Sequence, residues 1–157
     1  MNPLQPLMAL LAQTERERDA AWADAQRTAQ AHQAAQSQAE QLLTYRREYE
    51  QRWGAQFKSE GRMELVHCYR GFVERLSQAV DQQQRIAQHA DAQLVRAREA
   101  LLQHEVRVAS VRKLIERRAK ELRVSVDRLE QKQTDEFGAR SAWNPPALGG
   151  PNLARAV

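Results

Sequence analysis

The sequence has little of what an enclosed active site or a wide core is built from. Its 157 residues hold one cysteine, Cys68, so no disulfide can close within the chain, and that usage fits a reducing compartment. Aromatic residues make up only 6%. The apolar share is mostly Ala, Leu and Val, enough for a narrow seam and too little for a broad interior. No apolar run approaches the roughly 20 residues that span a bilayer. The opening stretch, Met1 to Arg18, has no basic segment before its apolar run and no small-residue cleavage site, so no signal peptide is expected and the chain reads as soluble and intracellular. Alternating β-branched runs are missing, and strands with them. There is no phosphate-binding glycine loop and no nucleophile elbow. Neither catalysis nor a cofactor is expected.

The most informative shortage is proline. Pro3 and Pro6 stand where the first turn of a helix accepts them, and the next proline is Pro145. Between them only Gly54, Gly61, Gly71 and Gly138 interrupt a composition rich in Ala, Glu, Gln, Arg and Leu. That profile predicts helix nearly throughout. Helix one is expected over about 6–57, a connection over about 58–63 and helix two over about 64–137, together one hairpin domain spanning 1–137. The tail, 138–157, holds three prolines and three glycines and is expected to be disordered.

Two apolar seams run through these helices at alternating steps of three and four, the coiled-coil spacing. Helix one supplies Leu4, Leu7, Leu11, Thr14, Arg18, Ala21, Ala25, Thr28, His32, Ala35, Ala39 and Leu42. Helix two supplies Val66, Tyr69, Val73, Leu76, Val80 and onward through Leu94, Ala97, Val108, Val111, Ile115, Arg118 and Leu122. Laid antiparallel, Leu7 meets Ile115, Thr14 meets Val108, Ala25 meets Ala97, Leu42 meets Val80 and Trp53 meets Tyr69. Every pair shares one midpoint, Gly61, a residue that played no part in choosing the seam. Helix one runs out opposite Ile115, leaving 116–137 as an overhang. The expected fold is all-α: a long antiparallel two-helix coiled coil with a C-terminal helical overhang.

Two surfaces are left unexplained by this seam. Around the turn the apolar surface is wider than two strands need, and most of the aromatic residues gather there. Gln38, Leu42, Tyr45 and Tyr49 face Gln83, Ala79, Leu76 and Phe72 as one strip displaced to the side of the seam. Tyrosine and phenylalanine exposed together favour a protein interface; packing of a splayed end, or contact with a second copy, would use the same residues. The second surface is the basic run from Val111 to Lys132, with Arg112, Arg117, Arg118 and Arg123 among its cations. A solvated face explains such a run by default. Here Leu114, Ile115, Leu122, Val124, Val126 and Leu129 keep an apolar stripe where helix one has already ended, which also suits a helix that docks on an acidic protein surface.

Metal and nucleic-acid readings have little to stand on. His32 and His89 fall near one another across the hairpin, but two histidines without a third ligand do not make a site. His104 opposite Arg18 reads as a polar layer that helps to fix register. The net charge is +4, spread among many acids with no dedicated basic arm, so a nucleic-acid partner is not expected.

The constellation Gln38, Leu42, Tyr45, Tyr49 with Phe72, Leu76, Ala79, Gln83, followed by the run Glu116 to Leu122 (ERRAKEL) and by Asp135-Glu136, resembles the FliJ family of the flagellar type III export apparatus. The likeness covers roughly residues 1–140. It implies a hairpin similar to the central stalk of rotary ATPases. It also implies a soluble export component that binds the hexameric, FliI-type export ATPase and promotes its ring assembly. Binding of the membrane export gate protein FlhA and escort of export chaperones are implied too. The family's gate contact carries over to Gln38, Leu42, Tyr45, Tyr49, Phe72, Leu76, Ala79 and Gln83. The ATPase contact is expected at the open end, with Arg112, Arg117, Arg118 and Arg123 as its residues. The location implied is cytoplasmic, peripheral at the inner membrane face through partners, as a monomer or weak dimer. The alternatives are the stalk protein of a virulence-type secretion system and a structural coiled coil that only self-associates.

Overall fold

A computed structural model describes residues 2–59 and 61–144. Two helices form it, α1 (Gln5–Ser59, 55 residues) and α2 (Met63–Trp143, 81 residues), and no strand occurs among the described residues. At 1.5 Å per residue they are about 80 Å and about 120 Å long. They lie against each other along α1, so the fold is an all-α helical hairpin.

Local chemistry sets the outer ends. The Asn2 side-chain oxygen accepts a hydrogen bond from the Leu4 backbone N–H at 3.1 Å, satisfying one of the donors a helix start leaves open. Pro3 follows where it withholds no needed donor. At the far end α2 continues past the expected stop at Phe137 and takes in Gly138, because one glycine costs a helix only about 1 kcal/mol. It closes at Asn144, whose backbone leaves the helical region and whose N–H bonds to the Arg140 carbonyl at 3.2 Å. The next residue in sequence is Pro145, and a proline disfavours the α conformation in the residue before it. The expected tail therefore divides: 138–143 are helical, and 145–157 lie outside the described residues.

The connection is shorter than expected, since α1 reaches Ser59 and α2 starts at Met63. Gly61 has no positive φ, and a Cβ there would meet nothing within 4 Å. Its role at the pivot is weak helix propensity and not a left-handed turn. Arg62, in an extended conformation, caps α2 through its backbone, with its carbonyl accepting from Val66 N–H at 3.2 Å.

The antiparallel register is read directly from contacts between the helices. Gln83 donates to Gln38 at 3.1 Å and to the Ala35 carbonyl at 3.4 Å. Arg46 reaches Ser77 at 3.5 Å. Farther from the turn, Arg107 pairs with Glu17 at 3.5 Å and Arg112 with Glu15 at 2.8 Å. The buried residues are all members of the two expected seams: Thr14, Ala25, Ala35 and Ala39 on α1, and Leu76, Val80, Leu94, Ala97, Val108 and Val111 on α2. Alanines dominate the α1 side, and such small side chains let two backbones approach while burying little area each. Thr14 keeps its buried hydroxyl satisfied on the Leu11 carbonyl at 2.9 Å.

The seam departs from its expected course at the open end. Arg118 is exposed and Ala119 takes the half-buried position. A straight helix drifts by about 20° per heptad against a seven-residue repeat, and burying the guanidinium would cost its hydration. Pairing also extends farther than Ile115: Leu122 is half-buried and lines a cleft with Pro3, Leu4 and Leu7. From Arg123 to Asn144 every residue is exposed. The unpartnered overhang thus begins later and ends later than the spacing predicts.

Candidate partner-binding site

Six aromatic side chains assemble at the turn end because four of them, Tyr45, Tyr49, Trp53 and Phe57, repeat at steps of four on α1 and two more, Tyr69 and Phe72, lie opposite on α2. Tyr49 is the hub. Its ring centroid is 4.3 Å from Phe72, 5.9 Å from Tyr69, 5.8 Å from Trp53 and 6.3 Å from Tyr45. Phe57 closes the cluster against Tyr69 at 5.1 Å in an edge-on arrangement. These separations suit offset or edge-to-face contact, worth about 0.5–1.5 kcal/mol per pair beyond burial. Burial raises the Tyr69 hydroxyl above its ordinary pKa, with further contributions from Glu50 and Tyr49. Trp53, Phe57 and Tyr69 belong to this cluster although the strip read from sequence omitted them. The signal was present, since Tyr49, Trp53 and Phe57 share one helical face.

The eight strip residues are brought together, but in three different states. Gln38 and Gln83 are tied across the hairpin by their amide bond, and with Gln41, Leu42 and Tyr45 they border an open depression. Tyr45 is 48% exposed. Leu42, Tyr49, Phe72 and Ala79 are half-buried. Leu76 is only 8% exposed, so it belongs to the interior of the hairpin. Phe72 lies against Tyr49, the residue it was expected to face in the strip, and shares in its packing. What faces outward is a glutamine pair, a tyrosine and the outer faces of the half-buried apolar residues: a rigid, mixed surface suited to protein contact.

At the open end the four arginines separate in the same way. Arg112 is held on Glu15, and Arg118 on Glu121 at 3.6 Å. Neither Arg117 nor Arg123 has an ion-pair partner among the described residues. Arg117 borders an open groove with Val124 and Leu129. The spacing on either helix alone does not reveal the cross-helix ion pairs, which need the register to be known first.

The other groups considered from sequence are placed differently. His32 lies 3.6 Å from Asp91. Among the described residues no group of three or more His, Cys, Asp or Glu is arranged to hold a metal ion. Cys68 is exposed. No described helix is long and apolar enough to cross a membrane.

The sequence model of the family described as Flagellar FliJ protein matches residues 2–147, which takes in the whole of both helices. The chain belongs to the FliJ family. It is therefore a flagellar export-related protein. No curated protein and no solved structure matches the chain. Within the FliJ match lie both the aromatic turn end and the whole of α2, so both candidate surfaces are part of the family's own extent.

Proposed function

We propose that this FliJ-family chain links two partners of the export apparatus, one at each end, and performs no chemistry of its own. The tip strip, with Tyr45 and the Gln38–Gln83 pair outermost, binds the membrane export gate protein FlhA. The open end, through Arg117 and Arg123 with Arg112 and Arg118 beside them, binds the hexameric export ATPase and promotes its ring assembly. In this reading the protein is cytoplasmic, reaches the membrane only through its partners, and escorts export chaperones. The observation that carries it is Tyr45: a large aromatic held in place by Tyr49 and yet half in solvent, beside a cross-helix amide pair that the hairpin does not need for its core. Rigid aromatic anchors of this kind supply contact area at low entropic cost.

Capture on the immobilised cytoplasmic part of FlhA tests the tip. Y45A is expected to lose capture while helicity and melting temperature are retained. If helicity falls along with capture, Tyr45 is packing and the gate assignment loses its support. Co-purification with the export ATPase tests the other end; an R117E/R123E double variant that binds as well as the parent would remove the overhang from the contact.

A further inference from the structure

The middle of α2 carries a second seam, on the face turned away from α1. The residues that α1 covers there are Leu94, Ala97, Val108 and Val111. On the outward face, Ala92, Val95, Glu99, Leu102, Val106 and Ala109 repeat the same alternating threes and fours. The outer face of a two-stranded coil is ordinarily polar, yet Val95, Leu102 and Val106 are exposed here. Beside them Trp22 of α1 is exposed as well, in an open depression that it lines with Glu105 and Ala109. The hairpin itself has no use for this surface.

The charges around it select the occupant and its direction. At the same spacing the outward seam continues to Arg85 on one side and to Glu116 on the other, and its midpoint falls between residues 100 and 101. A second α2 laid antiparallel about that midpoint sets Val95 on the partner's Val106, Ala92 on the partner's Ala109 and Arg85 on the partner's Glu116, each of them twice. On the flank nearer Trp22, Arg98 falls beside the partner's Glu105. None of Arg85, Arg98, Glu105 and Glu116 has an ion-pair partner within its own chain among the described residues. A shift by one heptad loses the match. In one direction it sets Val95 on the partner's Lys113 and Arg85 on the partner's Arg123. In the other it sets Val106 on the partner's Gln88 and Val95 on the partner's Glu99. An in-register parallel pair sets every charge beside its own copy. Both chains keep α1 on the far side of α2, so the pairing displaces nothing that the hairpin already buries. The one charge inside the apolar stretch, Glu99, falls opposite the partner's Leu102 and weakens the contact.

We propose that the outward face of α2, over about 85–116, pairs antiparallel with the same face of a second copy of this chain, covering Val95, Leu102 and Val106 and matching Arg98 with Glu105 in both directions. The apolar stretch from Ala92 to Ala109 is about 27 Å long. A contact of that length between two helices is smaller than a standard protein interface, so the dimer is weak and reversible. This inference does not depend on either partner assigned above.

Sedimentation equilibrium of the full chain over a wide concentration range, at low and moderate salt, tests the pairing. A monomer–dimer equilibrium that weakens with salt is expected. Leu102 is exposed on the outward face, so L102D is expected to abolish the dimer and leave the helicity and melting temperature of dilute protein intact. E99A is expected to tighten the dimer by about threefold or more, since it removes a carboxylate from between apolar side chains. R98E and E105R are each expected to weaken association by about tenfold or more, because each creates two like-charge contacts per dimer. The R98E/E105R double variant is expected to restore it to within about threefold of the parent. A chain that stays monomeric throughout overturns the proposal. So does a dimer indifferent to L102D, one that E99A fails to tighten, or a double reversal no tighter than the single ones.

Discussion

Val80 and Val126 are the same residue type on the same helix at the same kind of seam position, and they live in different environments. Val80 is 1% exposed beneath α1, and Val126 on the overhang is 50% exposed. Leu76 and Leu129, at 8% and 59%, repeat the contrast. The helix itself is uninterrupted between them. The spacing of apolar residues therefore states what a surface can bury, and the presence of a neighbour decides whether it does. At the tip, the neighbour takes most of the apolar surface and leaves a shaped remainder. On the overhang nothing within the chain is taken.

The contrast can be broken most directly at the two valines. V80D places a carboxylate in the closed seam and is expected to cost about 3 kcal/mol or more, lowering the melting temperature followed by circular dichroism. V126D, measured in the same way on dilute protein, is expected to change stability by less than about 0.5 kcal/mol. Equal losses would mean that the overhang is covered in the isolated chain.

A smaller effect separates two members of the tip strip. L76A removes a buried side chain from between the helices and is expected to cost about 2 kcal/mol, the low end for Leu→Ala because a two-helix seam can relax. Y45A is expected to cost less than about 0.5 kcal/mol in urea unfolding and to weaken capture by the gate protein about tenfold or more. Should L76A leave stability untouched, Leu76 would have to be reassigned from the hairpin interior to the docking surface.

Smaller again is the ion pair that ties the start of α1 to α2. R112A removes an exposed contact with Glu15 and is expected to cost a few tenths of a kcal/mol, vanishing above about 0.5 M salt. A salt-independent loss of more than about 1 kcal/mol would show that Arg112 acts through its stem packing instead.

The smallest expected change is with pH. Tyr69 has its pKa raised by burial first, then by Glu50 and Tyr49, so the folded state favours the neutral phenol. That stability is fully present below the ordinary tyrosine pKa of about 10. It is lost as pH rises through the raised folded value, because the unfolded chain releases its proton earlier. Absorbance titration of the phenolates should show one tyrosine ionising after the other two, and Y69F should remove the late component. A late component that persists in Y69F would assign the shielding to Tyr45 or Tyr49.

Most of the architecture was legible because helical spacing is a local property. The shortage of proline set the long helices, the three-and-four steps set their faces, and pairing those faces about Gly61 gave the register that Gln83–Gln38 and Tyr49–Phe72 display. What was misread depends on how two real helices meet. Arg118 was placed in the seam by a strict heptad, and the seam passes to Ala119. The end of α2 was placed at Phe137, but a lone Gly138 does not stop a helix.

By itself, then, the sequence determined that this chain is a helical hairpin, where it turns, and which residues crowd the turn, since periodicity and proline content act within a few residues of backbone. Only the tertiary structure decided which of the crowded residues belong to the hairpin and which are left over. Leu76 is interior and Tyr45 is not, although both sit in one strip. That division depends on the distance and rotation between two helices, and side-chain spacing on either helix alone does not contain it.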